Sequence, residues 1–143
     1  MRELLPVGAP FDDELVLPFE RRRHSRLRAR LASGREVAVL LPRGTVMRDG
    51  VRLGGADSDG RPLGVRVVAE PEAVARITGS ALIRAAWHLG NRHVPVQIGD
   101  GFLRMERDPV LRDMLERLGF SVEDEIAPFE PEPGAYGSHA GSH

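Results

Sequence analysis

Five histidines occur in this 143-residue chain, and two of them sit in one short stretch, Trp87-His88-Leu89-Gly90-Asn91-Arg92-His93. Imidazole is the commonest protein ligand for borderline metals such as nickel, zinc and copper. Two more, His139 and His143, lie near the C-terminal end. The five-residue step from His88 to His93 is not the i, i+4 spacing that sets two rings on one helix face. His93 is therefore the better ligand candidate. His88 either complements the negative helix end or stands behind the site as a hydrogen-bond donor. A lone histidine at such a place is more often structural. A pair of tail histidines binds weakly, because ordering a tail costs about 1–2 kcal/mol per residue fixed. One chain thus supplies too few ligands for a tight site. A two-fold dimer brings identical patches together, so two copies of His93 can meet at the axis and the tails can complete the coordination. Metal binding requires neutral imidazole, so affinity is expected to fall as pH drops through the ordinary histidine range near ~6.5.

The elements that must position these residues fall into two kinds. Before Glu70 the chain shows short strand patterns broken by turns, and no segment has helical periodicity. Leu15-Val16-Leu17 is one strand. Leu27 to Leu31 and Val37 to Leu41 flank Ser33-Gly34 as a hairpin. Thr45-Val46-Met47 and Val51-Arg52-Leu53 flank a second turn with an Asp-Gly signal. Gly54 to Gly60 reads as a loop, and Gly64 to Val68 as the next strand. Glu70-Pro71-Glu72 reads as a junction, since proline interrupts a ladder.

Beyond the junction the element types alternate. Ala73 to Ile77 reads as a strand. Ser80 is a good N-cap for a helix to about Leu89, which Gly90 would end, with Ile83, Ala86, Trp87 and Leu89 along one face. Val94 to Ile98 reads as a strand begun by His93, with Pro95 marking an edge or a bulge. Phe102 to Met105 is a strand, Asp108 caps a second helix with Pro109 in its first turn, and Gly119 ends it. Phe120-Ser121-Val122 opens a last strand. The order β-α-β-β-α-β predicts a four-stranded antiparallel sheet with both helices on one face, the ferredoxin-like arrangement. From Pro128 the composition is that of a mobile tail. The fold class is α+β. The expected division is a small all-β domain over 1–70, a ferredoxin-like domain over 71–127 and a flexible histidine-containing tail over 128–143.

Composition removes several function classes. The absence of cysteine excludes disulfides, thiolate zinc sites, iron–sulfur clusters and a cysteine nucleophile. All 20 basic residues are arginine, which excludes Schiff-base chemistry and a phosphate-loop lysine. A net charge of −1 gives no general attraction to nucleic acid or anionic membrane. No apolar run is long enough to cross a bilayer, and the first residues lack a signal-peptide core, so a cytoplasmic protein is expected. Charge is uneven, however. Residues 20–35 hold seven arginines against Glu20 alone, which reads as a solvated strand face or, second, as a docking surface for an acidic partner.

Trp87 to Gln97 resembles the central motif of the UreE family of urease accessory nickel chaperones. Val110-Leu111-Arg112-Asp113-Met114-Leu115, Leu118-Gly119, Ala127 to Glu132 and Gly134-Ala135-Tyr136-Gly137 resemble the family as well. The likeness covers essentially the whole chain and is strongest from about residue 81 to 137. It implies a β domain called peptide-binding, then a ferredoxin-like metal-binding domain through which two chains dimerise. It implies that His93 from both subunits holds one Ni2+ ion, with Zn2+ or Cu2+ possible in vitro. His139 and His143 would join, and the role of His88 stays open. The implied partners are a urease accessory GTPase and the complex of urease apoprotein with its accessory proteins. The chain departs from the family in two places. Where some relatives carry a His-x-His before the second helix, it has Arg107 and Pro109, so that additional site is not expected. Where some end in a polyhistidine run, it has two histidines, so few ions per dimer are expected.

Three other readings compete. An RNA-recognition module shares the element order but stacks bases on aromatics, and the corresponding strands here offer Phe102 alone. A hydrolase lacks its motifs: no Gly-x-Ser-x-Gly, no His-Glu-x-x-His, no phosphate loop. A metal-independent adaptor or scaffold is the main alternative, and substitution of His93 separates it from a chaperone.

Overall fold

The computed structural model describes residues 1–133. No helix among them is long and apolar enough to cross a membrane. The chain forms two compact units, one over Met1–Glu70 and one beginning at Pro71. Sheets dominate both, and the class is α+β.

The first unit contains β1 (Glu3–Leu5), β2 (Asp13–Leu17), the one-turn helix α1 (Phe19–Arg22), β3 (Arg26–Arg30), β4 (Glu36–Leu40), β5 (Arg52–Ala56) and β6 (Pro62–Ala69). One sheet has the order β1-β5-β6-β2, with β2 parallel to β6, and β3 pairs with β4 as a hairpin. Alternation does the folding here. Leu63, Val65, Val67 and Ala69 of β6 are buried at every second position, and the first three join Leu15, Leu17, Val39, Leu41 and Leu53 in one aliphatic core. The hairpin is anchored by Asp13. Burial opposes its ionisation, but the Ser33 hydroxyl, the N–H groups of Glu14 and Ser33, and Arg35 hold the carboxyl below its usual range.

Three local expectations fail in this unit. A one-turn helix, α1, follows Pro18, although no helix is expected before Glu70. Residues 45–47 are not a strand. The Met47 N–H donates to the Arg22 carbonyl, and Arg22, fully buried, donates back to the Met47 carbonyl at 3.2 Å. Those groups therefore have no need of a ladder. Gly54 and Gly55 lie within β5, not in a loop. A Cβ on Gly54 would stand 2.8 Å from the Leu5 side chain, and one on Gly55 2.9 Å from Met1. These glycines serve close approach, not turning.

The second unit contains β7 (Glu72–Thr78), α2 (Leu82–Asn91), β8 (Gln97–Ile98), β9 (Leu103–Glu106), α3 (Pro109–Arg117) and β10 (Ser121–Ala127). The sheet order is β10-β7-β9-β8, all antiparallel, as the β-α-β-β-α-β reading requires. Ala75 and Ile77 of β7 lie opposite Met105 and Leu103 of β9. All four share a core with Ala85 and Leu89 of α2, Leu115 of α3, and Val122 of β10. Both helices therefore cover the same sheet face. The segment from Pro128 is not free over its first residues. Phe129 is fully buried, the Glu130 N–H donates to the Gln97 side chain at 2.9 Å, and the Glu132 N–H donates to the Val96 carbonyl at 2.8 Å. A composition poor in apolar residues hid one good anchor, Phe129.

Candidate metal centre

The corner holding His93 is built by the end of α2. That helix runs one residue past Gly90 to Asn91, with Arg92 at its C-cap. The next residue, His93, takes φ +57°, the left-handed position that glycine ordinarily fills after a helix. Its N–H donates to the Gly90 carbonyl at 3.0 Å, and the Val94 N–H donates to the Leu89 carbonyl at 3.1 Å. That pair of bonds is a Schellman motif, and it satisfies two carbonyls that the helix end would otherwise leave open. A left-handed residue with a side chain costs on the order of 1 kcal/mol. Among the described residues only two non-glycines have positive φ, Ala81 and His93, and they stand at the two ends of α2.

This geometry corrects two expectations. Gly90 does not end the helix. His93 does not begin a strand, because residues 94–96 are irregular and β8 is Gln97–Ile98. The left-handed turn sends the chain away from the helix axis and leaves the His93 side chain exposed. The start of α2 also departs from expectation. Gly79 (φ +140°) and Ala81 (φ +57°) turn the chain, so Ser80 falls one residue before the N-cap, and Ala81 caps without a side-chain bond.

His88 is half-buried on the last turn of α2, its ring edge-on to Trp87 at 4.9 Å between centroids. The Arg92 guanidinium donates to the His88 carbonyl at 3.1 Å. His139 and His143 lie outside the described residues. No cluster of three or more His, Cys, Asp or Glu able to hold a metal ion occurs among the described residues. By itself His93 gives one exposed nitrogen donor at this corner, and any tight site must draw ligands from elsewhere. The Arg107–Pro109 stretch has structural employment instead. Arg107 donates to the carbonyls of Val74 and Glu125, Pro109 is the first residue of α3, and Asp108 between them caps it.

One feature beside His93 escaped the sequence reading. The apolar positions of α2 are two stripes, not one face. Ala85 and Leu89 are buried, with Leu82 and Ala86 packed against them. Ile83 is 85% exposed and Trp87 63% exposed, one turn apart, and Gly90 continues their side of the helix. A Cβ at Gly90 would meet nothing within 4 Å. The spacing held the signal: 82, 85, 86 and 89 make one stripe, 83, 87 and 90 another.

Comparison with known proteins accounts for both units. The N-terminal domain of the UreE urease accessory protein matches residues 2–66, and the C-terminal domain of that protein matches residues 72–143. The chain belongs to the UreE family. It is 55% identical over 140 residues to the urease accessory protein UreE of Alkalilimnicola ehrlichii, covering 96% of this chain and 83% of that protein. It is 56% identical to the UreE of Burkholderia lata over 86% of this chain and 59% of that one. The UreE of a Janthinobacterium species is 52% identical over 88% of this chain and 74% of its own length. The UreE description is of an accessory protein, not of an enzyme by name. It also agrees with the two-unit α+β architecture.

Proposed function

We propose that this chain is a metallochaperone that carries Ni2+ for assembly of the urease active site, as a homodimer that holds the ion between two copies of His93. The observation that carries the reading is the His93 corner. An exposed imidazole is held in a costly backbone conformation where glycine would be easier, next to an uncovered apolar stripe. Strain of this kind persists where the position is needed for something other than stability. A second copy seated on Ile83, Trp87 and the bare backbone of Gly90 would cover that stripe. It would also bring a second His93 close to the first.

The remaining ligands are assigned to His139 and His143, with His88 beside the site. The last described backbone bond, Glu132 to Val96, ties the chain three residues after His93. Seven further residues reach His139, and an extended chain of that length spans at most about 25 Å. The tail thus starts near the corner it is proposed to serve. A ligand on a tail suits a carrier, since detaching it opens the ion to a receiver. The proposed receiver is a urease accessory GTPase acting with the urease apoprotein and its other accessory proteins. The relatives are urease accessory proteins, which supports that setting.

Nickel titration calorimetry on the wild type and on His93→Ala, with light scattering on the same samples, tests the reading. A stoichiometry near one ion per two chains, lost in the variant while the dimer persists, is expected. Unchanged binding in His93→Ala would move the metal elsewhere. Unchanged urease activation by His93→Ala would favour a metal-independent adaptor instead.

A further inference from the structure

The first unit carries a line of arginines with too few acids to balance it. Arg26, Arg28 and Arg30 occupy alternate positions of β3 and are all exposed, while Leu27, Ala29 and Leu31 face the core. The register sets Leu40, Ala38 and Glu36 of β4 opposite them. Glu36 pairs with Arg30 at 2.9 Å. The side chains of Arg26 and Arg28 form no hydrogen bond or ion pair among the described residues. Arg21 adds a further cation, its guanidinium donating to the Arg28 carbonyl.

Among the described residues Glu36 is the one acid that pairs with this line. Residues 1–70 hold thirteen arginines against ten acids. Asp13 is held by Ser33 and Arg35, Glu14 by Arg66, and Glu20 by Arg23. In the acidic strand β10, Asp124 pairs with Arg112 and Glu125 with Arg104. Residues 134–143 contain no carboxylate side chain. A second feature adjoins the arginines. Ala38 and Leu40, which share their face, also line a cavity of about 350 Å³ with mixed walls, Met1, Val37 and Leu63 standing beside the charged Arg2, Glu36 and Asp57.

We propose that the outer face of the β3–β4 hairpin docks an extended acidic segment of a partner protein. Its carboxylates lie along Arg26, Arg28 and Arg30, and one apolar side chain enters the cavity beside Ala38 and Leu40. Alternate residues of a strand stand about 6.8 Å apart, the repeat of alternate side chains in an extended partner. Guanidinium is the cation best shaped for carboxylate. Exposed ion pairs are individually weak and screened by salt, so the contact is transient and salt-sensitive, with the apolar anchor adding affinity. Nucleic acid fits less well. The hairpin face holds no aromatic for base stacking, and the whole chain is at −1.

The test uses fluorescence anisotropy with the full chain. The probe is a short labelled peptide of alternating Glu and Thr with one central Leu. A Glu→Gln version and a labelled oligothymidine serve as comparison ligands. The Glu peptide should bind, weaken with salt, and lose about tenfold in affinity to Arg26→Gln/Arg28→Gln, while Arg117→Gln leaves it unchanged. Both substituted positions are exposed, and an unaltered melting curve verifies the fold. His93→Ala should retain peptide binding, so failure of the metal reading does not touch this one. Absence of Glu-peptide binding, equal binding of the Gln peptide, or full affinity in the double variant would overturn the proposal. Tighter binding of oligothymidine, lost in the same variant, would overturn it in favour of a polyanion surface.

Discussion

The two long helices pack on the same face of one sheet and are nearly equal in length, yet they are built to opposite standards. α3 obeys the capping rules at both ends, although Val110 in its first turn is 77% exposed. The Asp108 carboxylate accepts the N–H groups of Val110 and Leu111 at 2.9 and 3.0 Å, Pro109 takes the first turn, and Gly119 fills the left-handed position after the helix. α2 breaks those rules at both ends. It starts on an uncapped, left-handed Ala81 and ends with His93 where glycine is expected. It also leaves Ile83 and Trp87 in solvent. Local consistency is what makes a sequence specify a fold, and its violations gather where something else is required. One helix is shaped by stability, and the other ends at the candidate metal ligand.

That contrast can be broken by substitution. The largest effect expected is His93→Ala, which should abolish the shared nickel site while circular dichroism and dimer mass stay the same. A dimer that retains one ion per two chains would remove His93 from its role. Next is Trp87→Asp, which places a charge on the exposed stripe. Light scattering should report a monomer whose helix content is unchanged, because Trp87 is outside the core. A dimer surviving that change would place the interface elsewhere.

Smaller effects separate the two helix ends. Asp108→Ala removes two capping bonds and should lower unfolding free energy by about 1 kcal/mol in denaturant titration, with nickel binding unaltered. His93→Gly should do the reverse. It relieves the left-handed strain and raises stability by up to about 1 kcal/mol, while nickel binding is lost. Gly119→Ala, at the matching position of α3, should destabilise by about 1 kcal/mol. If His93→Gly were destabilising, the corner would be held by packing of the imidazole and not kept for a ligand.

Much of the architecture was legible in the residues. Alternation along Gly64 to Val68 and the Ser33-Gly34 turn announced a strand and a hairpin, the strand running longer, Pro62–Ala69. Asp108-Pro109 and Gly119 bracketed α3 correctly, since caps act within a few residues of backbone. Several of the readings that failed depended on distant neighbours, and those at the ends of α2 on local backbone conformation. Gly54 and Gly55 look like loop residues until Met1 and Leu5 are seen against them. Residues 45–47 look like a strand until buried Arg22 takes up the Met47 backbone. Gly90 looks like a helix end until the Schellman bonds put His93 in that place.

The sequence by itself determined which chemistry is available. Without cysteine it left no thiolate ligand, and it singled out His93 through the motif around it. It also determined the element order, because hydrophobic period and capping are local properties of the chain. Only the tertiary structure decided which apolar residues of α2 are core and which are surface. Spacing separates the two stripes, but which of them is core depends on which side of the helix the sheet covers. It alone decided that Phe129 to Glu132 are tied beside Val96, because the bonds that hold them come from residues more than thirty positions away.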